Sequence, residues 1–400
     1  MTAVALRRIW GGPLDRATLM AVAGLLLIGL AMVYSASFAL AYETYGVTTY
    51  FLTRQATWMA IGLALMLLLA RVDYRHWRRL SVPIMALTLA LLVAVLVVGE
   101  ETLGARRWFL GRSLQPSEFA KLATVLYVAH WISSKGQRIR DVTYGLAPFA
   151  VLIGLVTGLI VLQPDFGTAI LIVCTAVAVF FIAGADLFQL GIGFVMGSAT
   201  LYFLILQSSY AAQRISTYLS DPLTDPFSAS SYQVTQTLIA LGSGGLTGLG
   251  LGASQQKMGF IPVPHSDAIF AIIGEELGLL GSAAVLALFA LLGYRVLRIA
   301  LRAPDAYGML LAAGVGCWLI FQALMNVGVV TATLPFTGLP LPLVSFGGSS
   351  LVVSLAGIGI LLNIAGQEGG GSVSLDNAAL DHGWRNRRPR VPSGGRRGSP

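Results

Sequence analysis

Long apolar runs separated by short clusters of arginine make up most of this chain. The longest lies between Asp305 and Glu368, where 62 consecutive residues contain no Asp, Glu, Lys or Arg. A helix needs about 20 apolar residues to cross the hydrocarbon core of a bilayer, so this run holds two spans. Pro335, Pro340 and Pro342 mark the break between them. Proline removes a helix hydrogen bond and clashes with the preceding turn. Read the same way throughout, the pattern predicts ten spans, near 17–39, 55–70, 80–99, 116–134, 144–163, 167–184, 187–207, 268–293, 307–333 and 343–364. Longer segments intervene at 40–54, 100–115 and 208–267, the last with a short helix expected at Ser231–Leu241. The expected fold class is therefore all-α: a polytopic membrane bundle, with an N-terminal segment 1–15, a membrane domain 16–365 and a tail 366–400.

Composition agrees with the pattern. The chain is 56% hydrophobic and 11% charged, against about 25% charged in a soluble domain. The 46 glycines suit close helix packing in lipid. Ala39-Leu40-Ala41 looks like a signal-peptidase site, but the apolar run that holds it, 17–42, has 26 residues. A signal-peptide core has roughly 7–15, so an uncleaved first span is expected. Cys174 and Cys317 fall inside spans without CxxC spacing and read as inert thiols.

The formal net charge of +8 comes from basic residues that flank spans and form no single patch, which argues against nucleic acid and for a lipid bilayer. Alternate connections collect 19 of the 26 basic residues, which places that face and both termini in the cytoplasm. The tail from Gly366 is rich in Gly, Pro and Arg and cannot bury a core. Its six arginines could touch anionic lipid or merely solubilise the end.

Basic residues on the other face run against this rule: Arg54, Arg106, Arg107, Arg112, Lys121, Arg214 and Lys257. Four of the seven lie in GARRWFLGRSLQPSEFAKL. Pro116 suits a helix first turn, so the fourth span takes Glu118 and Lys121 into its outer end. Three residues apart, they share a face and could simply neutralise each other. Arg106, Arg107 and Arg112 show no acidic partner in the segment, and guanidinium forks match phosphate. An outer-leaflet diphosphate is expected there. The second anomaly is VPHSDAIFAIIGEELGLLG, where Asp267 enters the eighth span. In a straight helix Glu275 and Glu276 would lie about 12–14 Å deeper, which implies a polar cavity or a basic partner. Asp267 could be a helix cap, with His265 and Ser266 orienting the carboxylate or a ligand. His265 and Asp267 could also begin a metal site, but no third ligand is evident. Asp165 in QPDFGTA reads as a cap of the sixth span. The glycine-rich LGSGGLTGLGLGAS matches no phosphate-binding motif. LPLPLVSFGGSS offers Ser345 and Ser349 as hydroxyls at the same face.

Together, GARRWF…LQPSEFAKL, QPDFGTA, YQVTQTLIALGSGGLTGLGLGASQQKMGFIPVPHSDAIFAIIGEELGLLG and LPFTGLPLPLVSFGGSS resemble the SEDS family (shape, elongation, division and sporulation) over residues 15–365. IGEELG and NVGVVTATLPFTGLPLPL are more similar to its division members than to its elongation members. The resemblance implies a peptidoglycan glycosyltransferase of the bacterial cytoplasmic membrane that polymerises lipid II at the outer face. It also implies a class B penicillin-binding protein as transpeptidase partner, among other division or elongation proteins. The essential aspartate of the family's H-[ST]-D motif falls on Asp267, the expected general base. Arg106, Arg107 and Lys121 would then bind diphosphate, with Gln115, Glu118, His265, Ser266, Ser345 and Ser349 as further substrate contacts. No cofactor is required, although a divalent cation could assist. Two positions depart from the family: Ala268 stands where Phe is usual, and Phe346 where Tyr is usual. A lipid II flippase or a noncatalytic scaffold for the transpeptidase are the alternatives, and Glu275 and Glu276 are what favours the flippase.

Overall fold

The computed structural model describes residues 15–102, 105–109, 113–207, Ala212, Arg214, Ser216, Tyr218 and 231–367. Arg112, the N-terminal segment before Asp15, and the tail after Gln367 lie outside the described residues. Each of the ten predicted apolar segments is helical: α1 (Arg16–Tyr45), α2 (Tyr50–Arg71), α3 (Arg75–Val98), α4 (Pro116–Lys135), α5 (Ala147–Val161), α6 (Phe166–Ile182), α7 (Leu187–Gln207), α9 (Ile269–Leu301), α10 (Ala306–Val330) and α11 (Gly348–Gly366). Between α7 and α9 lies α8 (Tyr232–Ser243), the short helix expected there. Seven of these helices are long and apolar enough to cross a membrane, counting α5 with the π-turn ahead of it. The protein is a multi-pass membrane protein.

The helices overrun several predicted ends. α1 continues to Tyr45, where Gly46 closes it in the left-handed conformation (φ 70°) and leaves only a short link to α2. α9 continues past Arg295 and Arg298 to Leu301. Charge marks the edge of the hydrocarbon, not the end of a helix, because long basic side chains reach back to water from a buried backbone. The 100–115 connection also differs from the helical expectation. It contains a hairpin, β1 (Glu100–Thr102) against β2 (Ala105–Trp108), whose register sets Glu101 opposite Arg106. The register thus sets an acidic position opposite Arg106.

α11 lies at the centre, with 83% of its apolar window buried, as expected of a helix that is apolar all round. It packs along α2, and small residues set the spacing: a Cβ at Gly359 would sit 2.5 Å from the Met66 carbonyl oxygen. The end of the bundle opposite Asp267 is pinned by charge. Arg295 holds Asp15 at 2.7 Å, and the Tyr74 hydroxyl donates to Asp305 at 2.7 Å.

Candidate active site

Two proline-broken loops meet at the other end. One, residues 258–268, leads into α9; the other, 331–347, joins α10 to α11. The Phe346 N–H donates to the His265 carbonyl at 2.9 Å. Ser345 Oγ donates to the Ser266 carbonyl at 2.6 Å and accepts from the Leu341 N–H at 2.8 Å. Gln55 of α2 donates to the Ser345 carbonyl at 3.1 Å. The clasp holds Val263 (φ 50°) and Leu343 (φ 64°) in the left-handed region, a strain of about 1–3 kcal/mol each that marks over-determined sites.

His265 is buried between aromatic rings, 4.3 Å from Phe51 and 5.3 Å from Phe346 between centroids. Burial lowers its pKa to about 4, so the imidazole is neutral at pH 7. Phe346 forms the edge of this stack.

Asp267 stands two residues ahead of α9, half-buried. It lines a small pocket with Gln233 and Thr237 of α8, Val330 of α10, and Phe336. Burial pushes its carboxyl up to about 6, opposed by hydrogen bonds from its own backbone, from Ala268 and from the Gln233 side chain, and by the charge of Arg214. Arg214 is fixed beside it, donating to the Phe336 carbonyl at 2.9 Å with its guanidinium 4.8 Å above the Phe336 ring. The acid therefore sits at the boundary between its two protonation states near neutral pH, the condition suited to a general base.

The cationic cradle expected around Asp267 is built differently. Arg107 directs its fork at the backbone, donating to the carbonyls of Gln163 and Pro164, both at 2.7 Å. Lys121 is sealed within the bundle, 2.6 Å from Glu118 and 2.9 Å from Gln322 Oε1. A cation so deep must be compensated by the protein itself, as in the reading of Glu118 and Lys121 as a pair that neutralises itself. Gln115 and Ser117 each donate to Asp165 at 3.1 Å, while Asp165 caps α6 through the Thr168 N–H. Arg106, on β2, is exposed and reaches the Val97 carbonyl at 3.5 Å. Among the described residues, the hairpin reaches the loops around the acid through α6. α6, which Arg107 braces at its entry, packs at Gly167 against Thr337 and Leu339 of the 331–347 loop. Ser345 has its hydroxyl engaged in the clasp, Ser266 contributes its carbonyl to the same clasp, and Ser349 is buried in the first turn of α11.

Glu275 and Glu276 lie in the helical stretch of α9 that precedes a break. α9 is broken at Gly278 (φ 66°, ψ −163°), and the 23 residues 279–301 suffice for a span on their own. The glycine-rich segment after α8 runs beside the broken part and pairs with it: the Leu249 and Gly250 N–H groups donate to the Glu275 and Glu276 carbonyls at 2.9 and 3.0 Å. Such approach needs glycine. A Cβ at Gly248 would sit 2.1 Å from the Glu276 carbonyl oxygen, and one at Gly278 2.3 Å from the Gly248 nitrogen. The Glu276 carboxylate takes Lys257 and the Ser35 hydroxyl, the latter at 2.6 Å. Glu275 takes the Ser254 hydroxyl and the Gln255 N–H, the latter at 2.8 Å. These acids close on partners from the loop and from α1, which removes the feature that favoured a translocation path.

Four residues that the sequence reading gave no role emerge here: Arg214 and Gln233 beside Asp267, and Gln322 and Asn326 of α10, of which Asn326 bonds the Asp267 carbonyl and Gln322 the Pro340 carbonyl. For the last two a signal existed, since amides four apart on a membrane helix share one face and bond across helices. Arg214 and Gln233 carried no such signal, because only folding of the long connection brings them to the acid. Among the described residues no three His, Cys, Asp or Glu side chains gather as a metal site.

Comparison with known proteins agrees with this architecture. Residues 16–369 match the FtsW, RodA and SpoVE family, described as cell cycle protein. A probable peptidoglycan glycosyltransferase FtsW of Geobacter metallireducens is 42% identical over 352 residues, 87% of this chain and 93% of that protein. Stage V sporulation protein E of Bacillus subtilis is 41% identical over 345 residues, 85% of this chain and 94% of its own length. Among solved structures, a chain of a peptidoglycan synthase complex that coordinates polymerization and crosslinking superposes with TM-score 0.74 at 30% identity, covering 89% of this chain and 98% of that one. The rod shape determining protein RodA of Thermus thermophilus superposes with TM-score 0.66 at 30% identity over 90% of this chain and 98% of its own. The chain, matched over nearly its whole span, belongs to the FtsW, RodA and SpoVE family of cell cycle proteins.

Proposed function

We propose that this protein is a peptidoglycan glycosyltransferase that polymerises lipid II at the outer face of the bacterial cytoplasmic membrane, in cell division. The single observation that carries the reading is Asp267: a half-buried carboxyl in a pocket, raised to about 6 and flanked by Arg214 and Gln233. In the reaction the 4-hydroxyl of one N-acetylglucosamine attacks the anomeric carbon of N-acetylmuramic acid on a second lipid II. The bond from that carbon to the lipid diphosphate breaks, and the hydroxyl proton passes to Asp267. The leaving diphosphate needs little protonation, so one carboxylate suffices, in contrast to the paired acids of glycoside hydrolysis. Arg214 favours the ionised base between turnovers. Arg106, exposed on β2, attracts the anionic lipid substrate to this face, while Arg107 and Lys121 hold the scaffold. The topology supports this sidedness, since Asp267 lies on the face poor in basic residues. The superposition on a chain of a synthase complex supports a class B penicillin-binding protein as partner.

The test is Asp267→Asn in proteoliposomes containing the cognate transpeptidase and supplied with lipid II. Loss of at least about 100-fold in glycan chain formation is expected of a general base. Undiminished polymerisation by that variant would overturn the assignment.

A further inference from the structure

The chain holds a polar strut that no step of the proposed chemistry uses directly. Gln322 and Asn326 lie one turn apart on α10 and are 0% and 1% exposed. Asn326 Nδ2 donates one hydrogen to the carbonyl of Asp267 at 2.7 Å and the other to the carbonyl of Leu339 at 2.8 Å. Both partners are acceptors, so the amide has only one workable orientation. One side chain thus ties the backbone of the acid to the facing loop. Four residues earlier, Gln322 Nε2 donates to the next carbonyl of that loop, Pro340, at 2.9 Å. Its Oε1 accepts from Lys121 at 2.9 Å and from the Trp318 indole at 3.0 Å. Lys121 is locked in turn to Glu118. The ion pair of α4, the two amides of α10, the 339–340 backbone and Asp267 therefore form one continuous buried chain.

Burying an ion pair and two amides stabilises a bundle little better than well-packed apolar residues would. What such a network provides is a fixed geometry, since each member has one set of partners. The loop it holds is the one whose Phe336 anchors Arg214, and Gly338 of that loop lies against the Asp267 carboxylate. Displacement of residues 336–340 would move the base relative to both its cation and the bound sugar.

We infer that Asn326 is a positioning residue for Asp267, and that Gln322 with the Glu118–Lys121 pair supports it from within the membrane. This inference rests on the proposed role of Asp267. It assigns the buried charges of α4 to the placement of the base and not to the diphosphate. The charged groups facing the assembly are Arg214 at the pocket and Lys121 with Glu118 at its inner end.

The experiment compares wild type, Asn326→Ala, Asn326→Asp, Gln322→Leu and Asp267→Asn in the same proteoliposomes, measuring kcat and KM for lipid II between pH 5.5 and 8.5. Asn326→Ala is expected to lower kcat at least tenfold, with KM within about twofold of wild type. Asn326→Asp keeps the size of the side chain. Protonated it donates one hydrogen bond to the paired carbonyls, and ionised it donates none. Its activity relative to wild type should therefore rise as pH falls, with a melting temperature above the assay temperature throughout separating this from loss of folding. Gln322→Leu should show the kcat loss of Asn326→Ala in weaker form. Full activity in both Asn326 variants, or loss of Asn326→Asp activity independent of pH, would overturn the inference while Asp267→Asn remained inactive. An active Asp267→Asn variant would instead overturn the reading of the site itself.

Discussion

Within ten residues, the segment entering α9 treats its acids in two opposite ways. Glu275 and Glu276 are surrounded: a lysine, two hydroxyls and backbone N–H groups converge on them from the glycine-rich loop and from α1. Asp267 is given one glutamine, nearby backbone and an arginine committed to Phe336, and it faces a pocket. All three are ionisable groups in a chain that places few such groups at membrane depth. A carboxylate whose charge is answered by the fold serves the fold, and one left partly unanswered is available for chemistry. Sequence position does not distinguish the cases, because their difference lies wholly in what folds back against each.

The largest expected effect is at the acid left open. Asp267→Asn should abolish polymerisation, and the wild-type rate should fall about tenfold per pH unit below about 6, where the base becomes protonated. A flat pH–rate profile across that range would put the proton transfer elsewhere. At the closed acids the effect is on stability. Lys257→Met leaves the buried Glu276 charge unpaired and should cost about 3–5 kcal/mol, seen as a lower melting temperature in detergent. Adding Glu276→Gln to that variant should restore most of the loss, and failure to do so would mean that Lys257 acts through something other than Glu276.

Gly248→Ala probes the same region through backbone contact. Its φ is 81° and the new methyl would meet the Glu276 carbonyl, so a loss of at least about 1–3 kcal/mol is expected. A wild-type melting curve would show that the loop need not approach α9 so closely. Arg214→Ala removes the cation beside the base, so the midpoint of the pH–rate profile should move upward while activity at pH 8.5 is largely kept. The smallest effect is thermodynamic. Asp267 has a pKa of about 6 in the folded protein, above its ordinary 3.8. Its ionisation therefore opposes folding: stability is fullest below about pH 4 and declines as pH rises through about 6. Asp267→Asn should melt above wild type at pH 8 and level with it at pH 4, a modest gain because the group is only half-buried.

Much of the architecture was legible before any coordinates, and the reason is the solvent. A bilayer forces every spanning segment to satisfy its backbone internally, so runs free of charge predict helices whatever the rest of the chain does. The helical cap by Asp165 was legible for a similar reason, since it depends on residues three apart. The hairpin at 100–108 was not, because strands of three and four residues are too short to show an alternating pattern. Nor were the bonds that turn Arg107 toward Gln163 and Pro164, fifty-six and fifty-seven residues away.

What the sequence determined by itself is the solvent and the helices. Only the tertiary structure decided which charges are spent on one another. Helix periodicity places neighbours three or four apart, whereas the partners of Lys121, Glu276 and Asp267 come from helices and loops remote in the chain. Charge compensation at membrane depth is a property of the assembled bundle, where dehydration makes each unpaired group costly and folding alone chooses what answers it.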